Sequence, residues 1–288
     1  MISYRHHIVS LVAVFVALAV GVVLGGGPLT DLGRGDEQAA ATVSASRANE
    51  RTAEYGDAFA TAAAPTLYGA GLQQTSVAIV AMPGAQAEVV GALADQVAAA
   101  GGQVSGTYDV RAALVDPGEK SLVDTLGSQL AGELGDGVVA PDASTYPRIG
   151  QLLGLAATPG DFGAAGVRAV RESLAGAELV ESPAEAGGAG LALVVLGDRT
   201  DPAVLSGIVA GLGAKAPGVV VAGETAAAAA NGDLGALRAE PVADNVATVD
   251  GAENPLGQVT TVLALIRSLT TPGGSFGASG SDGAVPLT

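Results

Sequence analysis

Short runs of apolar residues punctuate the chain: Val77-Ala-Ile-Val-Ala-Met82, Leu191-Ala-Leu-Val-Val-Leu196, Gly218-Val-Val-Val-Ala222 and Val246-Ala-Thr-Val249. Each is too short for a helix and apolar at every position, or nearly so, the pattern of a strand buried on both faces. Helical patterns separate them. Pro83-Gly84 breaks the first run, and about fifteen residues of helical spacing lead to Gly101-Gly102. Gln103 to Thr107 reads as the next strand. Asp116-Pro117, Asp201-Pro202 and Asn254-Pro255 each place a capping side chain before a proline at the first helical position. Leu122, Val123, Leu126 and Leu130 continue the first of these helices, and Tyr146–Leu155 and Phe162–Leu174 read as two more. An Ala-rich helix is expected from Glu224, and the helix after Asn254-Pro255 runs to about Leu269. Apolar strands alternating with capped helices predict one doubly wound, Rossmann-like α/β domain with a mostly parallel sheet, over residues 71–270. Residues 271–288, rich in Gly, Ser and Pro, read as a disordered tail.

The N-terminal quarter follows a different pattern. No residue from Ile8 to Thr30 is charged, and Ile8–Leu24 is dominated by Val, Ala, Leu, Ile and Phe. A membrane-spanning helix needs about 20 such residues, whereas the apolar part of an export signal has about 7–15. The length favours a retained transmembrane anchor over residues 8–29. The small residues Gly25-Gly26-Gly27 leave a cleaved signal as the alternative. Arg5 and the amino terminus precede the run, while Asp31, Asp36 and Glu37 outweigh Arg34 after it. Positive charge stays on the cytoplasmic side. This predicts a cytoplasmic stub at residues 1–7 and an extracytoplasmic main domain. Ala13, Ala17, Gly21 and Gly25 form a ridge of small residues at four-residue spacing, suited to pairing of membrane helices into a homodimer or oligomer. Because Ala and Gly are common throughout the chain, composition alone also accounts for the ridge. Residues 30–70 read as a helical stalk, helical from Asp36 to Ala64 and stopped by Pro65. Arg47–Glu50 and Arg51–Glu54 pair along it, and the absence of Leu and Ile from residues 36–64 allows at most a weak coiled coil.

Composition narrows the function. The net charge of −16 argues against a nucleic-acid partner, which requires clustered cations. With no cysteine, disulfides, thiolate nucleophiles and Cys-based zinc sites are excluded. The histidines are His6 and His7, so the outer part cannot build a Ser-His-Asp triad. No GxxxxGK[ST] loop is present, and no GxGxxG follows the first strand. We therefore expect no enzyme, no catalytic residue and no resident cofactor. Ligands of open α/β sheets bind beyond the carboxyl ends of the strands. Asp198, Arg199, Glu224, Asp250 and Glu253 fall there, with Asn254 and Gln258 close by in the chain. Lining one cleft, they would suit a small ligand or a hard cation. The plain alternative is that they cap helices and solvate loops, as polar residues at this edge do in any α/β fold. Met82, at the end of an apolar strand, reads as core packing rather than as a copper ligand.

The opening MISYRHHIVSLVAVFVALAVGVVLG, the segment VAIVAMPGA and the segment DNVATVDGAENPLGQVTTVLAL resemble those of the mycobacterial copper transport protein B (MctB) family, as does the order of anchor, spacer, α/β domain and Gly/Pro-rich tail. The resemblance implies a membrane or envelope protein with a role in copper efflux or tolerance, copper being the transported or sensed ion. It also implies an alternative: a non-catalytic envelope module that regulates cell separation and peptidoglycan hydrolysis through a membrane-protein partner. The outer part lacks the His and Cys that copper favours, so direct copper ligation is not expected there.

Overall fold

The computed structural model describes residues 28–183 and 187–287, with side chains described from residue 47 onward. Residues 1–27, which hold all but the last two residues of the expected anchor and include Ala13, Ala17, Gly21 and Gly25, lie outside the described residues. Contacts divide the chain into two units, Met1–Gly56 and Asp57–Thr288. The first contributes the start of a long helix, α1 (Pro28–Tyr68), on which the Thr52 hydroxyl donates to the Ala48 carbonyl at 2.9 Å. Among the described residues no helix is long and apolar enough to cross a membrane.

In the second unit the apolar runs become β1 (Ser76–Ala81), β4 (Leu191–Val195), β5 (Val219–Gly223) and β6 (Ala247–Asp250). They are joined by β2 (Gln103–Val110) and two-residue edge strands, β3 (Val180–Glu181) and β7 (Ser275–Phe276). The order is β3-β2-β1-β4-β5-β6-β7, parallel throughout except for β3, which runs antiparallel to β2. This is the doubly wound arrangement, with the order reversing between β1 and β4. Strand periodicity sends alternate residues to opposite faces. Val77, Ile79, Leu191, Leu193, Val220 and Ala222 join one core layer, and Ala78, Val80, Ala192, Val194, Val219 and Val221 join the other.

The first layer is covered by α2 (Ala87–Ala99), α9 (Pro255–Ser268) and the end of α1. The second is covered by α4 (Lys120–Leu134), α5 (Thr145–Ala157), α6 (Ala164–Gly176) and α7 (Pro202–Gly213), with the short helices α3 (Ala112–Val115) and α8 (Asp233–Arg238) beside them. Gly150 of α5 and Gly211 of α7 bring these two helices into backbone contact. A Cβ on Gly150 would lie 2.2 Å from the Ile208 carbonyl oxygen, and one on Gly211 would lie 2.1 Å from that of Pro147.

Four expectations are corrected. Helix α1 does not stop at Pro65 but continues to Tyr68. Ala60, Ala64 and Tyr68, spaced one turn apart, are buried in the first core layer, and the Tyr68 hydroxyl donates to Gln96 at 2.7 Å, so packing holds the turn that proline weakens. The stalk's end is thus part of the α/β unit. The Ala-rich stretch after Glu224 forms only a 3₁₀ turn, Thr225–Ala228, before α8. Asn254 precedes α9 without a side-chain capping bond, whereas Asp201 accepts from Ala203 N and Val204 N as expected. Finally, the tail is not a loose end. Phe276 is buried, Arg267 lies over its ring at 5.4 Å, and β7 pairs with β6. Gly273, Gly274 and Gly277 have φ between +72° and +109°, so here the glycine content shapes turns instead of marking disorder.

Candidate functional site at the carboxyl edge of the sheet

The loops after β1 and β4 meet where the strand order reverses. The Asp198 amide donates to the Pro83 carbonyl at 2.6 Å. Gly197 packs so tightly on this loop that a Cβ would lie 2.0 Å from Ala85 N, and the Asp198 carboxyl occupies the space a Cβ on Gly84 would need, 2.2 Å from its Cγ. The position where dinucleotide-binding folds set a phosphate against a glycine turn is therefore filled by a carboxylate of the chain itself.

Beside this contact lies a cleft of about 400 Å³. Asp198, Arg199 and Glu224 line it, together with Gln86, Asn231 and Asp233. Gln86 Nε2 donates to Glu224 Oε1, linking the loops after β1 and β5 across the one after β4. Asp233 is largely buried and accepts from Thr200 N at 2.7 Å. Burial holds its carboxyl above the ordinary aspartate range, while the Thr200 amide and the nearby Arg199 charge pull the other way.

The other two predicted residues lie outside this cleft. Asp250 ends β6, almost fully buried. It accepts from Ser279 N at 3.1 Å and Ser279 Oγ at 2.6 Å, and Arg238 Nη2 is 3.5 Å away. Arg238 in turn donates to the Phe276 carbonyl at 2.7 Å and to Ser279 Oγ at 2.9 Å. Asp250 thus fastens the C-terminal segment. Glu253 accepts from Thr225 N and, at 2.6 Å, from Thr225 Oγ1, tying down the turn after β5. Gln258 donates to the Ala252 carbonyl at 3.2 Å. Sequence reasoning missed Gln86, Asn231 and Asp233. Gln86 follows the first strand's break and could have been found from that position, but Asn231 and Asp233 lie beyond the turn that was read as a helix. Met82 is buried in the second core layer. Among the described residues no three His, Cys, Asp or Glu side chains converge to hold a metal ion.

A family model described as copper transport outer membrane protein, MctB, matches residues 1–287. The chain belongs to the MctB family. Comparison with curated proteins gives no match. The resemblance carried by three segments thus extends over residues 1–287.

Proposed function

We propose that this protein is a cell-envelope component of copper tolerance, held at a membrane by its N-terminal apolar segment with the α/β unit outside. It acts without catalysis, by binding a partner or ligand, and its α/β unit does not ligate copper. The single observation that carries the copper link is the family match over residues 1–287. The donor chemistry supports an indirect role. There is no Cys, the histidines are His6 and His7, and the one methionine beyond Met1 is the buried Met82. The strands are short and covered by helices on both faces, unlike the alternating segments of about ten residues that form a membrane barrel. Pairing through Ala13, Ala17, Gly21 and Gly25 would supply a dimer. The test is copper sensitivity of a deletion strain, complemented with the full chain and with a chain lacking residues 1–27. Copper tolerance restored by the first and not the second supports the reading. Unchanged tolerance in the deletion strain overturns it.

The second reading, an envelope module that regulates cell separation through a membrane partner, is favoured by the cleft. Asp198 and Arg199 are exposed at its rim, and neither side chain makes a hydrogen bond or ion pair among the described residues. Chained cells in the deletion strain with normal copper tolerance would select this reading.

A further inference from the structure

Asp198 and Arg199 line two recesses. On one side is the polar cleft with Gln86, Glu224 and Asp233. On the other is a recess of about 320 Å³ walled by Pro83, Ala112, Val115 and Pro117, with Asp116, Thr200 and Asp201 also lining it. The two recesses have Asp198 and Arg199 in common and adjoin along the carboxyl edge of the sheet as one acidic groove, with apolar side chains concentrated at the Pro83 and Pro117 end. Ala112 and Pro117 are exposed, and Pro83 and Val115 are half-buried. The floor is rigid, because the Gly197 contact and the Asp198–Pro83 bond lock the two loops together.

We propose that this groove docks an extended, basic segment of a partner protein. Its apolar residue would sit against Val115 and Pro117, and its Lys or Arg side chains would meet Asp198 and Glu224. The argument is charge complementarity. The cleft presents Asp198 and Glu224 above the buried Asp233 against the single cation Arg199, in a chain whose net charge is −16. The acid-majority rim disfavours a nucleotide or another anion, and the Asp198 carboxyl already fills the glycine turn a phosphate would need. The proposal rests on reading this cleft as an interaction site. Copper tolerance does not enter its test, so either can fail alone.

The test is fluorescence anisotropy of the full chain in neutral detergent. The probe is a labelled decapeptide alternating Lys with Ala and Val, and its Glu-for-Lys counterpart is the control. The Lys peptide should bind and the Glu peptide should not. Exposed charge pairs are individually weak, so Asp198→Asn with Glu224→Gln should weaken binding about tenfold. Asp136→Asn with Asp142→Asn, both exposed and in the lining of neither recess, makes the same change in net charge and should leave affinity within about twofold. Arg199→Glu should tighten binding several-fold, a gain that misfolding cannot produce. No binding of the Lys peptide, equal loss in both double variants, or no gain with Arg199→Glu would each overturn the proposal.

Discussion

Replacing Gly211 with alanine tests the packing of the second core layer. On an exposed helix face this exchange stabilises by up to about 1 kcal/mol, because alanine loses less backbone entropy. At Gly211 the new Cβ would stand 2.1 Å from Pro147 O, 2.7 Å from Gln151 N and 2.8 Å from Gly150 Cα. All three are backbone atoms of α5 or of its first turn, so no side chain can swing aside and the two helices must part. Overpacking of a dense core costs about 1–3 kcal/mol, and a backbone-against-backbone clash belongs at the upper end. After subtraction of the helical gain, Gly211→Ala should destabilise by about 2 kcal/mol, which for a domain of this size lowers the melting temperature by about 4–8 °C. Gly132 of α4 is exposed and has nothing within 4 Å of its would-be Cβ, so Gly132→Ala should stabilise by up to about 1 kcal/mol. Urea denaturation followed by circular dichroism measures both. A Gly211→Ala protein as stable as the parent, or moved in the same direction as Gly132→Ala, would refute the reasoning.

The remaining predictions concern the tail and the buried acid. Phe276→Ala should cost about 3–5 kcal/mol, because the ring is buried against the first layer, whereas Leu287→Ala, 63% exposed, should change stability little; equal effects in thermal melts would return the tail to the loose end its composition suggests. For Asp233, burial raises the carboxyl pKa in the folded state. Its contribution is therefore fully present below the unfolded pKa and lost as pH rises through the folded value. Asp233→Asn keeps an acceptor for Thr200 N and carries no charge. It should show a smaller fall in stability than the parent between about pH 4 and pH 7, read by urea denaturation across that range.

The fold was legible where one signal sufficed. Continuous apolar runs marked β1, β4, β5 and β6, and Asp201-Pro202 marked the start of α7. It was not legible where stability comes from partners distant in sequence. The end of α1 buries Ala60 and Ala64, and alanine carries little hydrophobic signal. The edge strands β3 and β7 are two residues long, shorter than any periodicity can reveal. The same limit shaped the candidate site. Polar residues at the carboxyl edge follow from strand position, but their use depends on what they meet. Asp198 and Glu224 face the cleft, whereas Asp250 meets Arg238 and Ser279, and Glu253 meets Thr225. Nothing in the spacing of these carboxylates distinguishes the two pairs.

The proposed place of this protein in copper tolerance requires no copper ligation by its α/β unit. Calorimetric titration with Cu(I) under anaerobic conditions and with Cu(II) in air, on the full chain carrying His6→Asn and His7→Asn, tests it most directly. These exchanges remove the imidazole donors outside the α/β unit. No stoichiometric binding of either ion is expected at micromolar protein. Stoichiometric, tight binding of Cu(I) or Cu(II) by that variant would contradict it.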